Sequence, residues 1–286
     1  MKVIKVSKQG FCNGVKRALA LVHQTVKDNQ ANLPIYILGE LMNNEYVSKK
    51  LVEWNIITIK SNGLKRIEML QSIDEGIVIL TAHGVSPEVI KQLEKKKLQF
   101  VDTTCPFIVN TANVIKNYLD RNYDIIYLGK HNHPESEGII GINKDKIHLI
   151  TDLDEAQLLT INNDKILITT QTTLRRKHLD EMLNVLLEKY PNAIYKDGVC
   201  QSTVLRQEAL INEITGDLCL VVGDKISSNA NELVKIGNRL IPTYLVNSIH
   251  DIKKEWLNGV KVITLTSAAS TPDELTNEIY EYLINL

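Results

Sequence analysis

Short, almost uninterrupted apolar runs punctuate the chain, and each ends on a small or polar residue. PIYIL runs into Gly39, GIVIL into Thr81, DIIYL into Gly129, KILI into Thr169, LCLVV into Gly223 and KVITL into Thr266. Runs bounded in this way read as strands. Between them the period changes: Val15, Leu19, Val22 and Val26, and then Val89, Ile90 and Leu93, recur at the three- and four-residue spacing of an amphipathic helix. Strands alternating with helices predict an α/β fold of parallel sheets covered by helices. The ligand crevice then lies in the polar loops after the strand carboxyl ends.

The landmarks recur in register. Cys12, Cys105 and Cys200 are 93 and 95 residues apart, close to one third of the 286-residue chain. The glycines follow these cysteines by 27, 24 and 23 residues, and the threonines follow the glycines by 42, 40 and 43. Such spacing predicts three similar α/β lobes related by pseudo-threefold symmetry: 14–104, 105–199 and 200–286, with the N-terminal strand 1–13 joining the centre. Each lobe presents a cysteine, a glycine loop and a threonine loop at strand ends. Helix starts are expected beside them, at Ser86-Pro87-Glu88 and Thr271-Pro272-Asp273-Glu274, and more weakly at Ser228 with Glu232. These residues read singly as caps; together they line ready anion sites.

Composition narrows the partners. Lys+Arg 33 against Asp+Glu 34 leaves a net charge of -1, too little basic excess for nucleic acid, whereas a small anionic ligand stays open. The start MKVIKVSKQGF has no apolar leader, and no stretch approaches the roughly 18 apolar residues of a membrane span, so a cytoplasmic protein without membrane contact is expected. Four cysteines are too sparse for a disulfide scaffold and read as metal-binding, catalytic or buried.

Three of them lie where strand gives way to loop or helix, in KVSKQGFCNGVKRA, FVDTTCPFIVN and KDGVCQSTVLRQEA. If the lobes share an axis, equivalent thiolates converge on it and suggest a metal centre. Zinc commonly asks for a fourth ligand and a local CxxC or HxxxH spacing, which is missing. Three thiolates on a four-iron cubane would leave one iron open to a substrate oxygen as a Lewis acid. Cys219, inside LCLVV, reads as a buried core residue.

The other loops after strands carry His83 in TAHGVSP, His133 and Glu135 in GKHNHPESEG, Thr172 in TTQTTL, Ser227, Ser228 and Asn229 in GDKISSNANE, and Ser270 in TSAASTP. His83 and His133 read as functional from their turn context; His23, His148, His178 and His250 read as structural or surface residues. Glu135 is the natural proton donor of this polar, mainly uncharged set, and its bland alternative is a surface acid capping a helix. Asp224 fits either kind of role.

Taken in order, GFCNGVKRA, TAHGVSP, DTTCP, HPESEG, TQTTL, C-x-x-T-x-x-RQ, SSN and AS-x-PD resemble the motifs of the LytB family, the 4-hydroxy-3-methylbut-2-enyl diphosphate reductases, essentially end to end. The resemblance implies three α/β lobes around a central 4Fe-4S iron-sulfur cluster, held by Cys12, Cys105 and Cys200 with one open iron. It implies reductive removal of an allylic hydroxyl as water, giving isopentenyl and dimethylallyl diphosphates at the end of the methylerythritol phosphate route to isoprenoids. Glu135 would deliver protons, Thr172 would share its hydrogen-bond network, and His133 would stand beside them. His83, Thr203, Ser227, Ser228, Asn229 and Ser270 would line the diphosphate pocket. An electron donor such as ferredoxin or flavodoxin is implied as partner.

The match departs at LGELMNNEY, where the family's diphosphate-binding histidine is Asn43, a donor without charge. Gln201, Ser202, Ile226 and Ser267-Ala268 also differ. These departures raise a second expectation, a paralogue that keeps the cluster but takes another substrate, by reductive dehydroxylation or by hydration or dehydration. A non-catalytic iron or oxygen sensor is a third, which the retained Glu135 and Thr172 disfavour.

Overall fold

A computed structural model describes residues 1–174 and 176–286, without the side chains of Arg176, Lys177 and His178, so the reading of His178 lies outside the described residues. The N-terminal β1 (Lys2–Lys5) and α1 (Asn13–Asp28) precede β2 (Ile35–Leu38), α2 (Glu45–Glu53), β3 (Ile56–Ile59), α3 (Arg66–Met69), β4 (Ile77–Leu80), α4 (Pro87–Lys95) and β5 (Gln99–Asp102). Then come α5 (Pro106–Asp120), β6 (Asp124–Leu128), α6 (Pro134–Ile140), β7 (Ile147–Ile150), α7 (Leu153–Leu158), β8 (Ile166–Thr170), α8 (Arg176–Lys189) and β9 (Ile194–Tyr195). The rest is α9 (Gln201–Glu213), β10 (Leu218–Val222), α10 (Ser228–Gly237), β11 (Thr243–Val246), β12 (Val262–Ser267) and α11 (Asp273–Ile284).

Among the described residues all strand pairs are parallel, and they form three four-stranded sheets in the orders β3-β2-β4-β5, β7-β6-β8-β9 and β11-β10-β12-β1. The same order recurs in each, and in the last the edge position is filled by the N-terminal strand. The chain packs as two compact units. The first, Met1–Lys16, Met42–Lys50 and Cys200–Leu286, holds the sheet with β10; the second, Arg17–Leu41 and Leu51–Val199, holds the other two. No helix among the described residues is long and apolar enough to cross a membrane.

The apolar runs are continuous because both faces of each sheet are covered. In the sheet with β6, Ile126, Leu128 and Ile168 pack on Leu179, Met182 and Leu186 of α8, while Ile125, Tyr127 and Leu167 pack on Ile115 of α5 and Ile139 of α6. Strand alternation thus puts the Tyr127 ring on the α6 face, where its hydroxyl finds Glu135. Cys219 is fully buried on β10, as expected, and burial pushes its thiol up to about 12.

The landmark glycines serve two needs. Gly39 takes φ +87°, which disfavours other residues, whereas Gly129 and Gly223 allow close approach. A Cβ on Gly129 would stand 2.9 Å from Ser136 Oγ, and one on Gly223 2.8 Å from the Ala230 Cβ. The first turns of α6 and α10 therefore rest directly on strand ends.

The threonine landmarks are less equivalent than their spacing suggests. Thr169 pairs with Tyr127 and Thr266 with Val221, each two residues before the landmark glycine, while continuing the Ile37–Ile79 register puts Thr81 level with Gly39. Residue counts do not see the ladder offset, which is 42 for β2–β4 but 45 for β10–β12.

Helix starts differ from the expected caps in detail. Ser86 occupies the N-cap of α4 without a side-chain bond. Ser227, not Ser228, caps α10 by accepting from the Ala230 amide. Thr271 is buried and donates to the Val222 carbonyl at 3.0 Å, leaving Pro272 at the N-cap of α11.

Candidate active site

The second unit builds a buried acid. The Asn132-His133-Pro134 turn starts α6, and His133 at its N-cap accepts the Glu135 amide on Nδ1 at 3.1 Å. Glu135 is 1% exposed, so the surface-capping alternative does not hold. Three donors converge on its carboxyl: the Tyr127 hydroxyl at 3.1 Å and the Thr172 amide at 2.9 Å on Oε1, and the Thr172 hydroxyl at 2.7 Å on Oε2. Burial pushes the Glu135 carboxyl up to about 7, against the pull of the Thr172 and Tyr127 donors, which favour the charged form. A carboxyl so placed keeps a proton near neutrality and can release it.

The neighbouring histidines are neutral. Burial, reinforced by Lys130 and Arg66, brings His133 down to about 4, and since its Nδ1 accepts, its proton sits on Nε2. His83 meets His133 edge to face with ring centroids 5.5 Å apart, and burial, then His133 and Arg66, holds it well below the ordinary histidine value. Both can offer hydrogen bonds but no charge. Arg66, 5% exposed, pairs with Glu137 of α6 at 2.9 Å and gives its own amide to the same carboxylate at 3.0 Å.

The first unit gathers neutral donors. Asn43 Nδ2 donates to the Ile226 carbonyl at 3.3 Å, and the Ser270 hydroxyl donates to the Asn43 carbonyl at 3.3 Å. Ser227 Oγ lies 3.5 Å from Ser270 Oγ, and Asn229 accepts the Ala269 amide at 2.9 Å. Asn229 is buried, yet its Nδ2 has no partner among the described residues. Hydroxyls, this amide and the first turn of α10 make a set of neutral donors suited to an anion. Asp224 is structural here: its carboxylate accepts the Glu45 and Ile226 amides at 3.1 Å each.

Cys105 and Cys200 are the N-cap residues of α5 and α9, and the Cys12 carbonyl accepts the Lys16 amide at 3.0 Å at the start of α1. All three are half-buried thiols outside any disulfide. Thr203 lies in the turn after Cys200, its amide on the Cys200 carbonyl at 2.8 Å. Burial pushes the Cys200 thiol up, while the Ser202 and Thr203 amides and Arg206 pull it back. No group of three or more His, Cys, Asp or Glu side chains among the described residues is gathered so that it could hold a metal ion.

Two of the histidines expected to be structural or surface residues have such contacts: His23 packs on Trp54, and His148 pairs with Asp124 at 2.9 Å. Sequence reasoning missed Tyr127, Arg66 and Arg206. A hydroxyl-bearing ring one position from the end of DIIYL was a signal for Tyr127, and the RQ of C-x-x-T-x-x-RQ for Arg206. Arg66 has no local signal, because its partner is 71 residues away.

Known proteins agree with this architecture. The model of the LytB protein family matches residues 3–284. A Geobacillus sp. (strain WCH70) protein named 4-hydroxy-3-methylbut-2-enyl diphosphate reductase is 39% identical over 286 residues, which is 99% of this chain and 90% of the relative. One of the same name from Bacillus pumilus (strain SAFR-032) is 39% identical over 289 residues, 100% of this chain and 91% of its own. The solved E-1-hydroxy-2-methyl-but-2-enyl-4-diphosphate reductase of Plasmodium falciparum superposes with a TM-score of 0.91 at 32% identity, over 99% of this chain and 88% of that one. A solved (E)-4-hydroxy-3-methyl-but-2-enyl diphosphate reductase, described as the terminal enzyme of the non-mevalonate pathway, gives 0.70 at 27% identity with 100% of both chains covered. Three parallel sheets, the motifs in their order and relatives matched over nearly the whole length lead to one conclusion: the chain belongs to the LytB family of reductases.

Proposed function

We propose that the protein reduces 4-hydroxy-3-methylbut-2-enyl diphosphate, expelling its allylic hydroxyl as water with two electrons and two protons and releasing isopentenyl and dimethylallyl diphosphates. The buried Glu135 carboxyl, held by Thr172 and pushed up to about 7, carries this reading. Hydroxide is a poor leaving group, so the departing oxygen needs a proton as its bond to carbon breaks. Glu135 supplies one, and the Thr172 and Tyr127 donors already face the carboxylate that forms, so no reorganisation is needed. His133, with Nε2–H, and His83 add neutral donors. Ser227, Ser228, Asn229, Ser270, Thr203 and Asn43 hold the diphosphate through hydrogen bonds instead of a basic field. Asn43, tied to Ser270 and Ile226 within that set, supports an anion site there despite the missing histidine.

Cys12, Cys105 and Cys200 each suit a cluster ligand: a half-buried thiol in no disulfide, at a helix start. Arg206, buried beside Cys12 and Cys200 with an Nε–H that finds no partner among the described residues, is a further sign that negative charge belongs there. When bound, a 4Fe-4S cluster on these thiolates supplies electrons from a donor such as ferredoxin or flavodoxin, together with an iron free of protein ligands as a Lewis acid.

The test is anaerobic reconstitution with iron and sulfide, then turnover of the substrate with reduced viologen and analysis of both products. No turnover from a fully loaded protein, and none restored by Asn43→His, overturns the assignment. Glu135→Gln should bind substrate and stall; unchanged turnover would remove Glu135 from the chemistry.

A further inference from the structure

We infer that Arg206 is a positioning residue of the cysteine-held redox centre, clamping the loop before Cys12 to the turn after Cys200 and setting the centre's reduction potential with its charge. The inference rests on reading the cysteines as cluster ligands. Arg206 Nη2 donates to the Gly10 carbonyl at 2.6 Å, two residues before Cys12. Its Nη1 donates to the Ser202 carbonyl at 2.9 Å, two residues after Cys200, and also reaches the Ser202 hydroxyl. The clamped loop is fixed further along as well: the Gly10 amide donates to Ser267 Oγ at 2.9 Å and the Cys12 amide to the Ala269 carbonyl at 3.1 Å.

Arg206 is only 6% exposed, and its Nε–H has no partner among the described residues. Burying a permanent cation on neutral acceptors is costly unless negative charge stands nearby. Burial lowers the Arg206 pKa, and Cys12, Cys200 and Asp273 oppose that shift. Asp273 flanks the same loop, for a Cβ on Gly10 would meet its Oδ1 at 2.0 Å. Arg suits the place better than Lys, since its planar fork reaches both carbonyls and never loses its charge. A fixed positive charge favours the more negative, reduced form of a cluster and raises its potential; the Asp273 carboxylate acts in the opposite sense.

Midpoint potentials of reconstituted full-length Arg206→Met, Arg206→Lys and Asp273→Asn proteins test this, alongside iron and sulfide content. Arg206→Met should lose tenfold in the one-electron reduction equilibrium, a negative shift of ~59 mV. Arg206→Lys should stay near the wild-type value, and Asp273→Asn should move to more positive potential. A loaded Arg206→Met protein at the wild-type potential, or Met and Asn variants shifting in the same direction, overturns the inference. Should Arg206→Met fail to fold, Arg206→Gln takes its place, with the same negative shift expected and a wild-type potential overturning the inference. Wild-type protein that takes up no iron and sulfide is a different result, and it overturns the cluster reading itself.

Discussion

Thr172 holds both oxygens of the Glu135 carboxyl, its amide on Oε1 at 2.9 Å and its hydroxyl on Oε2 at 2.7 Å. One residue of the loop after β8 thereby fixes the tilt of an acid on α6 and stabilises it once its proton has left. Burial works the other way and dominates, which leaves the group poised near neutral pH.

Turnover should therefore fall as pH rises through about 7, where Glu135 loses its proton. Tyr127→Phe deletes a donor that favours the carboxylate, so the acid holds its proton longer and the alkaline limb moves to higher pH. Rates with reduced viologen across pH check this; a limb that stays or moves down contradicts it.

The same acid affects stability. Between its ordinary 4.5 and about 7 the folded protein binds more protons at Glu135 than the unfolded chain, so this group's contribution makes stability fall as pH rises across that window. Urea midpoints should show that slope in the wild type and a flatter one in Glu135→Gln.

The Arg66–Glu137 pair is asymmetric, with side-chain exposures of 5% and 34%. Glu137→Gln strands a buried cation and should cost about 3 kcal/mol, whereas Arg66→Met leaves a carboxylate that water reaches and should cost about 1 kcal/mol. Chemical denaturation with unchanged m-values measures both, and a reversed order would refute this account.

Asn229→Asp keeps the oxygen that accepts the Ala269 amide and replaces Nδ2, which has no partner among the described residues, with negative charge. Diphosphate affinity should drop on the order of 100-fold with little change in melting temperature. Calorimetric titration with the substrate reads the affinity; wild-type binding would exclude Asn229 from the anion site.

Asn43→His restores a group that can carry charge. A charge-assisted contact is stronger than a neutral one by about 1 kcal/mol, so KM should fall several-fold below about pH 6.5 and return toward the wild-type value above it. A KM that is unchanged at every pH would place residue 43 out of reach of the diphosphate.

The sequence by itself determined the local features. Apolar runs and three-to-four periodicity specified strands and helices, and their alternation specified parallel sheets. The cysteines could be placed where strand gives way to loop or helix because the apolar runs and polar turns around them are local signals. Residue spacing also exposed the repeat, but not its hydrogen-bond register, which is why Thr169 and Thr266 fell two positions short of the glycines they seemed to match. Only the tertiary structure decided the chemistry of the groups. Arg206 meets Gly10 across 196 residues and Arg66 meets Glu137 across 71, distances over which no periodicity carries information. Even Tyr127 and Glu135, eight residues apart, meet because strand alternation and the seating of α6 on the sheet put both on one face. Glu135 became an acid for neutral pH, and His83 and His133 neutral donors, because desolvation depends on everything packed around a group, which is a property of the folded chain.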